Sequence, residues 1–264
     1  MPKTVLITGG SSGVGAELVK VFIERGYAVW FTYNSGRSRA DKLLESLPQG
    51  SKAKAFKCDQ GSWEGLEALM QELPGVPDAV ISNAALGSAT VEQYEPNPHK
   101  QDLAMLQVNA LGSLWLVNAV LPGMKARGSG KIVLVSSVGG GVSQFPGMRL
   151  ADGMSKAAVA FLAKQLAAEN THTGVDVFCI APGAIDTPMF QASSLNHLSE
   201  AQRAEFIGKL GQARLIPPRE IAEQIAFLCS DAGRSLHGAV LDSSAGVGVR
   251  PGLFTEHSTE RSAS

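Results

Sequence analysis

Short β-branched runs alternate along this chain with longer segments whose apolar residues recur every three or four positions, which is a strand–helix rhythm. The pattern predicts strands at 4–8 (TVLIT), 27–33 (YAVWFTY), 52–59 (KAKAFKCD), 78–84 (DAVISNA), 131–137 (KIVLVSS), 175–183 (VDVFCIAPG) and 238–244 (GAVLDSS). Between them it predicts helices at 14–26, 38–47, 62–73, 100–127, 220–231 and from near 152 onward. Several strands are apolar on both faces, as parallel strands covered by helices on both sides must be. The expected fold is α/β, a single Rossmann-type doubly wound domain with a parallel sheet of about seven strands flanked by helices. The expected boundaries are a catalytic and nucleotide-binding domain at 1–250 and a small, polar C-terminal extension at 251–264.

Composition narrows the partners. A chain of 264 residues suits one domain, and a net charge of -1 supplies no basic field for nucleic acid or an anionic membrane surface. Cys58, Cys179 and Cys229 are far apart and lack metal or CxxC spacing, so they read as reduced, buried thiols of a cytoplasmic protein. His99, His172, His197, His237 and His257 also lack metal spacing and read as surface or hydrogen-bonded residues; no metal is expected. The N-terminus MPKTVLITGG enters a strand without a signal-peptide core, and no apolar run is expected to span a membrane.

The stretch TGGSSGVG (Thr8–Gly15) joins the first strand to the first helix. Its glycines suit a tight turn that brings backbone N–H groups, with Ser11, Ser12 and Val14, against a diphosphate at a helix N-terminus. The spacing is GxxxGxG rather than GxGxxG, and a plain tight turn is the competing reading. Four features at strand ends or in helices favour the nucleotide: Asp59, the Ser82-Asn83-Ala84-Ala85 run, Asn109 in the long helix, and Ser136-Ser137. A carboxylate at Asp59 can accept from an adenine amino group.

Together with Ser155-Lys156 and Pro182–Met189 (PGAIDTPM), these motifs resemble the short-chain dehydrogenase/reductase family from Thr4 to about Asp242. The resemblance implies an NAD or NADP cofactor and a small-molecule substrate. It implies that Gly9, Gly13 and Gly15 hold the diphosphate, that Asn83 and Ala84 line the cofactor, and that Lys156 binds its ribose. Thr187 would meet the nicotinamide amide, beside Pro182, Gly183 and Ile185. The position where NAD-preferring members often carry an acid reads Tyr33-Asn34-Ser35-Gly36-Arg37-Ser38-Arg39. With no carboxylate to repel a 2′-phosphate, and with Arg37 or Arg39 to pair with it, NADP(H) is expected over NAD(H). Solvated loop arginines are the competing reading. The family pairs through the helices at 100–127 and 152–170, so a homodimer or homotetramer is expected.

The resemblance also implies a catalytic set of serine, tyrosine, lysine and asparagine. Ser137, Lys156 and Asn109 match; the tyrosine position, four before the lysine, is Asp152. The remaining tyrosines, Tyr27, Tyr33 and Tyr94, are expected away from this helix, and the loop from Ser137 to Asp152 reads about two residues longer than usual. A carboxyl beside a lysine is expected to stay ionised and cannot then protonate an alkoxide. Three routes remain open: hydride addition to an imine or iminium, proton supply by Lys156 or a held water, or Asp152 as the base of a non-redox isomerase, dehydratase or cyclase. A helix-capping Asp152 with a catalytically idle cofactor is a further alternative. Arg149 reads as an anion-binding or plain loop arginine, and Met148, Met189 and Phe190 as pocket wall. The segment 190–212 would fold over the substrate, and Asp242-Ser243-Ser244-Ala245-Gly246 departs from the family's D-G-G turn.

Overall fold

The computed structural model describes residues 2–140, 142–145 and 148–249. Seven strands form one sheet: β1 (Thr4–Ile7), β2 (Ala28–Tyr33), β3 (Ala53–Lys57), β4 (Ala79–Ser82), β5 (Gly130–Val135), β6 (Val175–Pro182) and β7 (Val240–Ser243). Their order is β3-β2-β1-β4-β5-β6-β7 and every neighbouring pair is parallel. The expected doubly wound α/β fold is therefore what the chain adopts. The expected extension at 251–264 lies outside the described residues.

Alternation along the strands sorts the core. On β1, Val5 and Ile7 point to one face and Leu6 to the other; on β4, Ala79 and Ile81 oppose Val80. The first face is covered by α1 (Gly13–Glu24), through Leu18 and Phe22. The helix α2 (Arg37–Ser46) adds Leu43 to that face. The opposite face is covered by α3 (Trp63–Glu72), through Leu66 and Leu69. A short helix, α4 (Ser88–Glu92), then leads to a continuous rod from Pro98 to Arg127. The rod comprises α5 (Pro98–Met105), a π-helical stretch Leu106–Leu111 and α6 (Gly112–Arg127). Packed beside it is α7 (Leu150–Asn170). Three shorter helices follow: α8 (Pro188–Phe190), α9 (Glu200–Gly208) and α10 (Pro218–Leu228), the last packing Ile221 and Ile225 on the first face.

Three expectations change. The rod starts at Pro98 rather than residue 100, because the Asn97 side chain accepts from the His99 and Lys100 N–H groups and Pro98 suits the first turn. Asp152 does not cap α7: the helix begins at Leu150 after Arg149, which leaves Asp152 inside the first turn. The rod also contains an 18-residue window of mean hydropathy 1.5, long and apolar enough by composition to cross a bilayer, which the sequence reading had not anticipated. Its apolar side chains Leu116, Val117, Val120 and Met124 pack in the core beside the sheet, while Leu103 and Leu111 stay exposed and 39% of the window is buried.

Candidate active site

The strand order reverses direction between β1 and β4, and the carboxyl ends of the strands at such a switch point leave a crevice. Here the crevice is a cavity of about 1710 Å³. It is lined by the glycine-rich turn, the ends of β2, β4, β5 and β6, the first turns of α4 and α7, and the segment from Thr187 to Leu198.

The turn is held by its neighbours. Thr8 Oγ1 accepts from the N–H groups of Asn83 and Ala84, each at 3.0 Å, and Asn83 Nδ2 donates to Thr8 O at 3.0 Å. Gly9 and Gly13 both have positive φ (66° and 53°). A Cβ at Gly15 would collide with the Gly9 carbonyl oxygen, so the turn closes this tightly with glycine alone. Ser12 precedes α1 without a side-chain cap, and it lines the cavity together with Gly13 and Val14 of the first turn, where helix N–H groups lack intrahelical partners.

At the end of β2 the two arginines separate. Arg39 lines the cavity with its guanidinium beside Gly36, where an added Cβ would come within 2.6 Å of Nη2 and 3.0 Å of Ser11 Oγ. Arg37 is turned outward to Asp41 at 3.5 Å, with its side chain 77% exposed. The sequence could not separate them; helical phase in α2 does. Asp59 faces the cavity and accepts from Gly61 N at 2.9 Å.

Of the residues singled out from sequence, Gly9, Ser11, Ser12, Gly13, Val14, Asn34, Arg39, Asp59, Asn83, Ala84, Ser137, Asp152, Lys156, Pro182, Gly183, Ile185 and Thr187 share this one cavity. Three do not line it. Gly15 supports the turn from behind, Arg37 faces solvent, and Asn109 is buried behind the wall. The Asn109 amide is fully engaged: Oδ1 accepts from Leu86 N at 2.7 Å, and Nδ2 donates to Leu86 O at 3.1 Å and to Ser155 Oγ at 3.0 Å. Ser155 in turn donates to Asp152 O at 2.8 Å.

The carboxyl and the ammonium face the cavity from successive turns of α7, but among the described residues no ion pair joins Lys156 to Asp152. Burial pushes the Asp152 carboxyl above its ordinary value; the Lys156 ammonium, a Ser88 hydroxyl and Arg149 pull it back only in part. This reverses the expected direction, because loss of water outweighs a cation that is near without being paired. Burial likewise lowers Lys156, with Asp152 opposing. The partner of Asp152 is Ser88, whose Oγ donates to Oδ2 at 3.5 Å. Ser137 stands at the end of β5, its Oγ accepting from Gly139 N at 3.3 Å.

Other side chains emerge only in three dimensions. Arg149 is neither a free loop residue nor an open anion site: Nη2 and Nε lie 2.8 and 2.9 Å from Asp102 Oδ1, and Glu92 is 3.5 Å away. Tyr33 and Tyr94 both line the cavity, Tyr94 on the side of Asp59. Tyr94 stands exposed at the rim, where burial and then the Asp59 charge raise its phenol, which places it toward Asp59. Met148, Met189 and Phe190, read from the sequence as pocket wall, line the other end, joined there by Phe145, Phe206 and Val247. The cysteines are buried, their thiols pushed up by burial to about 12, 11 and 12 at Cys58, Cys179 and Cys229.

Comparison with known proteins agrees with this geometry. The family model described as short chain dehydrogenase matches residues 3–197. The uncharacterized oxidoreductase YmfI of Bacillus subtilis is 31% identical over 248 residues, covering 93% of this chain and 99% of that protein. Among solved structures, an actinorhodin polyketide ketoreductase variant with NADPH superposes with a TM-score of 0.82 at 27% identity, covering 94% of this chain and 97% of its own. A putative NAD(P)-dependent gluconate 5-dehydrogenase from Beutenbergia cavernae with bound NADP has a TM-score of 0.78 at 27% identity, covering 92% and 96%.

Proposed function

This chain belongs to the short chain dehydrogenase family, and on that footing we propose that it is an NADP-dependent oxidoreductase whose proton chemistry runs through a carboxyl instead of a phenol. The observation that carries the reading is the shared cavity: the glycine-rich turn, Arg39, Ser137, Asp152 and Lys156 all face it.

The residues present fit the dinucleotide. The turn is a cradle that side chains would fill, and the N–H groups at the start of α1 suit a diphosphate. Arg39, between the end of β2 and Ser11, is placed to pair with a 2′-phosphate, with no acid at that point to oppose it. Asp59 would take the adenine end, Lys156 the ribose, and Thr187 the nicotinamide amide. The two NADP- and NADPH-bound neighbours support the same choice. Bound there, the nicotinamide supplies or accepts the hydride.

The rest of the chemistry falls to the chain. Ser137 would hydrogen-bond the reacting oxygen or nitrogen. Asp152 occupies the position, four residues before Lys156, where the family has its tyrosine. A carboxyl whose pKa is raised by burial keeps its proton to higher pH, so it can serve as an acid for a carbonyl. Ionised, it would stabilise an iminium instead. The substrate class is therefore a small-molecule imine, iminium or carbonyl compound. Asn109 acts as a positioning residue, through Leu86 and Ser155. Self-association through α7 and the rod is supported by Leu103, Leu111, Leu150, Met154 and Phe161, all exposed on those helices.

The test is loss of NADPH absorbance with cyclohexanone and with 3,4-dihydroisoquinoline, in wild type and in Asp152→Tyr. Turnover of either probe is expected in wild type, and a gain with the ketone in Asp152→Tyr. No NADPH binding and no turnover would reject the reading.

A further inference from the structure

The side chain at 152 ends a ring's length short of where a phenol oxygen would stand, so a carboxyl there needs help to reach a reacting atom. The structure supplies a hydroxyl on the facing wall. Ser88 opens α4, directly after the loop that follows β4, and lines the same cavity as Asp152, Lys156 and Ser137. Its Oγ donates to Asp152 Oδ2 at 3.5 Å, across 64 residues of sequence. Two arms of hydrogen bonds brace the backbone on either side of this contact. Asn109 clamps the Leu86 backbone, two residues before Ser88, with bonds of 2.7 and 3.1 Å. The same amide holds Ser155, which holds Asp152 O at 2.8 Å. One buried asparagine therefore fixes both walls of the Ser88–Asp152 pair.

We propose that the Ser88 hydroxyl is a catalytic group that carries the proton between Asp152 and the reacting oxygen or nitrogen of the substrate. The proposal rests on the oxidoreductase reading above. In the reductive direction the Ser88 O–H bond breaks as an O–H or N–H bond forms on the substrate. The carboxylic proton of Asp152 moves to Ser88 Oγ in the same step. The electron pair arrives as the hydride of reduced nicotinamide, and Asp152, left as carboxylate, is reprotonated by water. Oxidation runs the same transfers in reverse.

The groups that face the Asp152 carboxyl decide its titration. They are Lys156 one turn on along α7, Arg149 just before that helix and held by Asp102 and Glu92, and Ser88 on α4. The Ser88 hydrogen bond favours the ionised form, so removing it must move the Asp152 midpoint upward.

Two measurements on the full-length chain test the relay. In the first, Asp152 is titrated by carboxyl-carbon NMR without cofactor, its signal assigned by its loss in Asp152→Asn. The midpoint is expected to rise in Ser88→Ala and to return toward wild type in Ser88→Thr. In the second, NADPH-dependent turnover of cyclohexanone and 3,4-dihydroisoquinoline is followed against pH. Ser88→Ala is expected to lose about 10²-fold in kcat with KM and NADPH affinity held, and Ser88→Thr to recover most of it. Wild-type kcat in Ser88→Ala, or an unmoved Asp152 midpoint, overturns the relay and leaves the redox reading standing. Wild type that binds NADPH but turns over neither probe overturns the redox reading and the relay with it.

Discussion

A carboxyl taken out of water resists ionisation unless a cation or a donor compensates, and at Asp152 the compensation is partial. Its pKa in the folded chain lies above the ordinary value of 3.8, so over that interval the folded chain holds a proton that the unfolded chain has released. Stability must fall as pH rises through the interval. Asp152→Asn, which never ionises, is therefore expected to melt higher than wild type at neutral pH, by about 2–4 °C per kcal/mol relieved. The difference should vanish below 3.8, and thermal melts across pH check both halves. Arg39 is the second residue where placement decides chemistry. Arg39→Ala should weaken NADPH about tenfold and leave NADH unchanged, since only the former carries the 2′-phosphate that a guanidinium can pair with. Arg37→Ala, on the outward face beside Asp41, should leave both unchanged; fluorescence titration separates the two.

The rod from Pro98 to Arg127 is the element on which the site leans. Its π-helical turn at Leu106–Leu111 widens the helix where Asn109 must face the Leu86 backbone, and such widened turns recur at functional sites. Asn109 was legible in the sequence only as a candidate inside the long helix. Its actual task was not, because partners 23 and 46 residues away are set by how α5, α7 and the loop after β4 meet. Asn109→Leu would leave the Leu86 N–H and C=O without their partners, at a cost of about 1–3 kcal/mol in urea unfolding. It should also lower kcat by loosening Ser88 and Asp152 together. The start of the rod shows the opposite case: Asn97-Pro98 is a local signal, a capping side chain followed by a proline that needs no N–H partner.

At the scale of the whole molecule, two helical layers bury both faces of the sheet, yet α7 keeps an apolar stripe outside: Leu150, Met154 and Phe161 are 81%, 60% and 69% exposed. Phe161→Glu should shift the chain to monomer by light scattering while leaving NADPH binding intact, if that stripe pairs copies of the chain. The amino-acid order by itself determined the strand–helix alternation, the parallel sheet, the glycine-rich turn after β1 and the spacing of Asp152 four residues before Lys156, because periodicity, glycine and proline act within a few residues of their own position. It could not determine which arginine faces the cavity, that Ser88 stands against Asp152, or that burial would raise a carboxyl expected to be ionised. Those depend on distances between segments far apart in the chain and on how much water the packed walls exclude, quantities that exist only once the tertiary structure has formed.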